Sequence, residues 1–297
     1  MDKFRGTGVA LVTPFNDDLS VDYKSLEQLV NHVSDGGVDY LVVMGTTAES
    51  PTLTGKEKLE VLRFVKSVNK KNLPIVYGFG GNDTQAMVKK YLKFEEDVDA
   101  FLVVCPYYNK PSQRGLQLHY EAIADAAPKP IILYNVPKRT SCNMNAKTVV
   151  ALAQHPNIIG IKEASGDTVI QAEEIARKMP DDFLLTSGDD DLVLPFIRIG
   201  GHGVISVIAN ALPSQMSDLV NAALKENYAE AKRMANDMED MLGLIFSEGN
   251  PTGVKALLQL IGIGNGKLRL PLVEASTDLV EQIRKEYENL DTKKGVV

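Results

Sequence analysis

The run Ile158-Ile159-Gly160-Ile161-Lys162-Glu163 puts a lysine where chemistry is possible. Its apolar, β-branched residues predict a buried strand, and the lysine closes it. An ammonium at the end of such a strand loses hydration, which favours the neutral amine. A neutral amine attacks ketones and aldehydes and gives a Schiff base. Lys162 is therefore a candidate imine-forming catalyst. It also has a plainer reading, as the partner of a carboxylate such as Glu163 or as a snorkelling side chain.

Other polar groups fall at the ends of other apolar runs. They are Gly45-Thr46-Thr47-Ala48-Glu49-Ser50, Pro106-Tyr107-Tyr108-Asn109, Tyr134-Asn135-Val136-Pro137-Lys138-Arg139-Thr140 and Ser187-Gly188-Asp189-Asp190. Imine formation and dehydration each move protons, so a phenol–hydroxyl relay beside the nitrogen is useful. A Gly-Thr-Thr turn entering a helix offers N–H and hydroxyl donors to a keto-acid carboxylate. Arg139 offers a planar fork to a second carboxylate. Each has an alternative. Tyr134 also suits a barrel layer, with its hydroxyl satisfied by backbone. Thr46 and Thr47 suit a helix cap, Arg139 suits the surface, and Asp189, Asp190 and Asp191 suit an acidic helix N-terminus. His32, His119, His155 and His202 share no motif spacing. Only His202 stays possible, through its closeness to the last strand. No metal motif or phosphate cradle is present, so the sequence calls for no cofactor and no metal.

What must position these groups is a series of alternating elements. Strands are predicted at residues 8–13, 40–44, 75–78, 100–105, 131–135, 158–162, 183–186 and 203–207. Helical patterns fill the gaps at 23–34, 57–69, 84–96, 116–126, 146–153, 169–178 and 192–199, and another follows at 212–225. Eight β-then-α units with short connections predict an α/β fold, a closed (β/α)8 TIM barrel. An open doubly wound sheet would place a Gly-x-Gly-x-x-Gly turn after its first strand. The nearest such turn, Gly78-Phe79-Gly80-Gly81-Asn82-Asp83, follows the third strand and lacks the third glycine. It reads as a tight turn with Asp83 as a helix cap. The barrel is assigned to residues 1–225. Residues 226–297 form a C-terminal helical region packed outside it, with a frayed tail from 291.

The net charge of -7 argues against nucleic acid as a partner. No apolar run is long enough to span a bilayer, and the first residues lack a signal-peptide pattern. Cys105 and Cys142 read as free thiols of a reducing compartment. The expectation is a soluble cytoplasmic protein acting on small molecules.

At Gly45–Ser50 (GTTAES), at Tyr134-Asn135-Val136-Pro137 with Arg139-Thr140, and at Gly160-Ile161-Lys162-Glu163-Ala164, the chain resembles the pyruvate-dependent class I aldolase superfamily. Within it, the chain is similar to the dihydrodipicolinate synthase branch from about residue 6 to 272. Pro106-Tyr107-Tyr108-Asn109-Lys110-Pro111-Ser112 and Gly200-Gly201-His202-Gly203-Val204-Ile205-Ser206 support that branch. Arg139 separates it from the sialic acid lyase branch. The resemblance implies condensation of pyruvate with aspartate 4-semialdehyde to 4-hydroxy-tetrahydrodipicolinate, in lysine (diaminopimelate) biosynthesis, without a cofactor. It implies that Lys162 forms the imine and that Tyr134 relays protons through Thr46 to Tyr108. That phenol would come from a neighbouring subunit, in a dimer or a tetramer built as a dimer of dimers. Thr47 would hold the pyruvate carboxylate and Arg139 the aldehyde's carboxylate. The backbones of Gly188 and Ile205 would line the pocket.

Two departures stand out. Ala48 occupies a turn position usually held by glycine. Ser50, Asn82 and Tyr107 match a lysine-effector pattern, but Gly55, Lys56 and Lys58 replace the stretch that carries histidines, and Ala86 replaces a glutamate. Losing an acceptor and adding positive charge weakens cation binding, so feedback by lysine is expected to be weak or absent. Two other functions fit the same elements. One is an aldolase for a 2-keto-3-deoxy sugar acid or sialic acid. The other is a barrel without catalysis, serving as a small-molecule receptor.

Overall fold

A computed structural model describes residues 2–166 and 169–294. Eight parallel strands close on themselves in sequence order: β1 (Gly6–Ala10), β2 (Tyr40–Val43), β3 (Ile75–Gly78), β4 (Ala100–Val104), β5 (Ile131–Asn135), β6 (Ile158–Glu163), β7 (Leu184–Ser187) and β8 (Gly203–Ser206). β1 pairs with both β2 and β8, so no edge is left open. Around the barrel lie α1 (Tyr23–Asp35), α2 (Gly55–Val68), α3 (Thr84–Tyr91), α4 (Gln113–Ala126), α5 (Pro137–Thr140), α6 (Ala146–Leu152), α7 (Ile170–Ala176), α8 (Val193–Arg198) and α9 (Pro213–Leu224). Then come α10 (Tyr228–Ser247), α11 (Thr252–Leu260) and α12 (Thr277–Lys294). This is the TIM barrel that the alternation of elements predicts. No helix among the described residues is long and apolar enough to cross a membrane.

Side-chain alternation along the strands builds two cores. Val42, Val76, Leu102, Ile132, Leu184 and Ile205 face inward and fill the barrel. Phe4 closes its base edge-on against Tyr40, with ring centroids 5.6 Å apart. The barrel can take Tyr40 only because Gly8 has no Cβ, which would lie 2.2 Å from that ring. Outside, Leu26, Leu29, Val30 and Val33 of α1 are buried against the strands. Each such side chain contributes about 1.5–3 kcal/mol. The filled interior leaves space for chemistry only at the strand ends.

Several boundaries differ from the periodicity. β1 begins at Gly6, not residue 8, and ends at Ala10. Its start is fixed by remote partners: Asp39 accepts from Thr7 N at 2.7 Å, and Gly6 N donates to His202 O. α3 stops at Tyr91, five residues early. α4 starts early, at Gln113, because Ser112 caps it by accepting from Gly115 N. The four-residue α5 has no periodic signal at all. α12 begins at Thr277 and runs through Lys294, past the expected onset of fraying, and residues 295–297 lie outside the described residues.

Candidate active site

Lys162 stands on β6 between Tyr134 of β5 and Thr186 of β7, in register with both. Alternation sends Gly160, Lys162 and Ala164 to one side of the strand and Ile161 and Glu163 to the other. Ile161 accordingly packs in the outer core and Ala164 in the inner one. Lys162 is only 5% exposed, and its Nζ lies 4.7 Å from the centroid of the Tyr134 ring. The residue just after β7, Gly188, is glycine for a physical reason. A Cβ on Gly188 would fall 3.0 Å from Lys162 Cε and 2.6 Å from Ala164 Cβ.

The plainer readings of Lys162, Tyr134, Thr46 and Thr47 find no support in the geometry, whereas Arg139 is exposed and Asp190 and Asp191 do open a helical turn. Glu163 does not pair with Lys162. Its carboxylate accepts from Asn135 Nδ2 at 3.0 and 3.2 Å and from Gln171 Nε2 at 2.9 Å. Among the described residues, no carboxylate lies within ion-pair distance of Lys162. The Tyr134 hydroxyl makes no hydrogen bond to backbone among the described residues, unlike those of Tyr91 and Tyr120. Thr46 and Thr47 make no helix-capping bond.

Burial pushes the Glu163 carboxyl up to about 7, against the pull of its donors, from an ordinary 4.5. Between those two values the folded state holds a proton that the unfolded state releases. This group therefore lowers stability as pH rises from about 4.5 to 7. Glu163→Gln, which cannot ionise, is expected to flatten that part of the stability curve. Urea midpoints at about pH 5 and about pH 7.5 check this; an unchanged slope in the variant excludes it.

A 60 Å³ pocket holds Lys162, Tyr134, Thr46, Thr47, Gly188 and Arg139 on its walls. Of the residues the sequence singles out, two are not brought there. Ile205 is fully buried one layer down in the inner core, and Val207 lines the pocket in its place. Tyr108 is 86% exposed and does not line its own chain's pocket. Its backbone φ of 77° is uncommon for a bulky residue, and strain of that kind gathers at functional positions. Ala48 sits buried without a left-handed backbone; that conformation falls on Glu49, with φ 54°. His202 lies at the start of β8, where Nδ1 accepts from Leu185 N, away from the pocket.

Three residues at the site have roles that sequence reasoning does not assign, though two of them stand in the acidic run after the seventh strand. Asp189 lines the pocket, and burial pushes its carboxyl up to about 6, while the charge of Lys162 pulls the other way. Asp190 caps no helix; its Oδ2 accepts from Val207 N and Ile208 N at 3.0 Å each and pins the loop after β8. Asn250, on the link between α10 and α11, lines the pocket and donates from Nδ2 to Thr47 Oγ1 at 3.0 Å. Because Asn250 fills an acceptor position of that hydroxyl, the Thr47 proton stays free to donate elsewhere. Asn250→Ala is expected to raise the KM for an anionic keto substrate about tenfold and to lower kcat less. Steady-state kinetics check it, and an unchanged KM removes Asn250 from the site.

The chain from residue 3 to 290 matches the model of the dihydrodipicolinate synthetase family. The chain belongs to that family. It is 46% identical over 288 residues to the 4-hydroxy-tetrahydrodipicolinate synthase of Cytophaga hutchinsonii, covering 97% of each chain. Identity is also 46% with the enzyme of that name from Parabacteroides distasonis, over 98% of each chain. Among solved structures, the Thermotoga maritima dihydrodipicolinate synthase superposes with a TM-score of 0.94 at 36% identity, covering 97% of this chain and 99% of that one. The Acinetobacter baumannii enzyme, described as chloride-inhibited and complexed with pyruvate, gives 0.93 at 37% identity, with the same coverage. Family membership thus agrees with the motifs at the strand ends.

Proposed function

We propose that this protein condenses pyruvate with aspartate 4-semialdehyde to 4-hydroxy-tetrahydrodipicolinate through a Schiff base on Lys162. The observation that carries this reading is a buried lysine with no carboxylate at ion-pair distance among the described residues, set against a tyrosine ring at the mouth of a barrel. Lys162 Nζ attacks the keto carbon of pyruvate, and the carbinolamine loses water to give the imine. Loss of a methyl proton gives the enamine, whose carbon attacks the aldehyde. The amino group of the second substrate then displaces Lys162, which closes the six-membered ring and frees the enzyme.

Tyr134 supplies and removes the protons of these steps, through Thr46 and the Tyr108 of a neighbouring subunit. A Tyr108 that projects into solvent on a strained backbone suits that role. The working form is therefore a homo-oligomer, with a dimer as the minimum and a tetramer of two such dimers as the assembly. Thr47 donates to the pyruvate carboxylate with the proton that Asn250 leaves free. Gly188 gives the lysine its room, Ile205 supports the pocket from below, and Arg139 receives the carboxylate of the aldehyde. The chain divides near residue 225 into a barrel that bears the chemistry and a helical region that braces its rim. Two free, buried cysteines suit a reducing cytoplasm.

The test is borohydride reduction in the presence of pyruvate, read by mass spectrometry, together with a condensation assay. One reduced pyruvate on Lys162 and ring formation with aspartate 4-semialdehyde are expected. No label, or cleavage of a sugar acid without condensation, overturns the proposal. Arg139→Ala is expected to raise the KM for the aldehyde on the order of tenfold or more, with the pyruvate KM nearly unchanged. Equal loss for both substrates, measured in the same assay, would remove Arg139 from that role.

A further inference from the structure

Three charged side chains line the pocket around Lys162, and the proposed reaction uses only two of them. They are Lys162, Arg139 and Asp189. Among the described residues, Asp189 is the only acid on that wall. The three adjacent aspartates after β7 differ in what they meet. Asp191 is exposed. Asp190 is buried, and its Oδ2 accepts from Val207 N and Ile208 N. Asp189 is half-buried, and its carboxylate makes no hydrogen bond or ion pair among the described residues. Its main chain is nevertheless fixed. Asp189 N donates to Ser187 Oγ at 3.2 Å, and Ser187 Oγ donates to Asp189 O at 2.8 Å. The backbone thus holds the carboxylate at the pocket and leaves its lone pairs for a ligand.

A half-buried carboxylate without a donor is costly to keep charged. Burial pushes this one up, while the charges of Lys162 and Lys138 pull it down. It is therefore a stronger base than an exposed aspartate. A wall that carries one guanidinium and one carboxylate complements a zwitterion. The second substrate of the proposed reaction is a zwitterion, an α-amino acid whose side chain ends in an aldehyde. With its carboxylate on Arg139, its ammonium needs an acceptor. That ammonium also holds the proton that blocks ring closure, because only the free amine is a nucleophile.

We infer that Asp189 receives the α-ammonium of the aldehyde substrate and takes the proton that must leave before its nitrogen attacks the Lys162 imine. This rests on the proposed condensation. In the step, one proton passes from the ammonium to the carboxylate. The freed amine then forms a C–N bond to the former keto carbon. A second proton moves from that nitrogen to the nitrogen of Lys162, and the C–N bond to Lys162 breaks. Lys162 leaves as a neutral amine, and the new ring keeps the positive charge of the protonated imine. Pyruvate has no amino group, so its capture by Lys162 makes no demand on Asp189.

The test compares Asp189→Asn with the native enzyme on two aldehydes. One is aspartate 4-semialdehyde. The other is 4-oxobutanoate, the same carbon chain without the amino group. Labelling of Lys162 by pyruvate and borohydride should be equal in both proteins, which shows that the variant's pocket is formed. In the variant, kcat/KM for aspartate 4-semialdehyde should fall about hundredfold or more. 4-Oxobutanoate has no amine to displace Lys162, so borohydride traps its adduct there. The rate of that trapping should change by less than about threefold. Equal losses on the two aldehydes, or an unchanged kcat/KM for aspartate 4-semialdehyde, overturn the inference. If Asp189→Asn does not fold, the native enzyme decides. Loaded with pyruvate, it should capture aspartate 4-semialdehyde about tenfold faster than 4-oxobutanoate, and equal capture overturns the inference. If the native protein takes no pyruvate label or condenses neither aldehyde, the proposed reaction itself has failed, and this inference falls with it.

Discussion

Lys162→Ala is expected to lower turnover by about ten-thousand-fold or more while the barrel stays folded. The size follows from covalency. A group that forms and breaks a bond to substrate in each cycle has no substitute unless a second amine can reach the same carbon. No other lysine lines the 60 Å³ pocket. The fold should survive because Lys162 holds nothing together: among the described residues it has no ion pair, and its main contact is the face of Tyr134. Lys162→Arg sharpens the test, since a guanidinium keeps the charge but stays protonated and forms no imine. Both variants should resist labelling by pyruvate and borohydride and should unfold near the wild-type urea midpoint. Turnover above about one per cent of wild type in either would sink the Schiff-base assignment.

The burial of Lys162 at a strand end was legible because its signal is local: an apolar β-branched run closes on the lysine. The eight strands were legible for a similar reason, since their alternation with amphipathic helices repeats along the chain. What escaped is set by contacts across the sequence. Asn250 reaches Thr47 over 203 positions and Lys255 reaches Glu49 over 206, and no local pattern marks either pair. The start of β1 is decided by Asp39 and by the carbonyl of His202, not by its own residues. The acidic run does open a helix, a 3-10 turn over Asp190–Leu192 that leads into α8, but nothing local shows that Asp189 also faces the pocket or that Asp190 also holds backbone amides after β8. Just after β8, the pocket wall falls two residues beyond Ile205, at Val207, because the inner core takes the earlier side chain.

Lys255→Met is expected to destabilise the protein by about 3–5 kcal/mol and to raise the KM for pyruvate, although Lys255 does not line the Lys162 pocket. Lys255 projects from α11 to the carboxylate of Glu49, and both side chains are almost completely buried. Its Nζ also donates to Lys267 O at 2.8 Å and lies 4.3 Å from the Phe15 ring. Burial pushes this ammonium down to about 8, even with Glu49 pulling the other way, so the cation persists at neutral pH. The second oxygen of Glu49 accepts from Arg269 N at 3.0 Å, which ties the residues after α11 to the same carboxylate. Methionine would preserve much of the packing but leave that carboxylate buried with one backbone donor, and an uncompensated buried charge is the costly state. Glu49 directly follows Thr46-Thr47-Ala48, so a carboxylate that moves toward water drags the turn with it. Thr47 would then lose its alignment with Asn250, and the effect on pyruvate should appear in KM before kcat. The double variant Lys255→Met, Glu49→Gln should recover most of the lost stability, because it removes both charges together. Urea unfolding of the single and double variants, with pyruvate kinetics alongside, measures both effects. A double variant no more stable than Lys255→Met would show that the lysine acts through packing and not through charge.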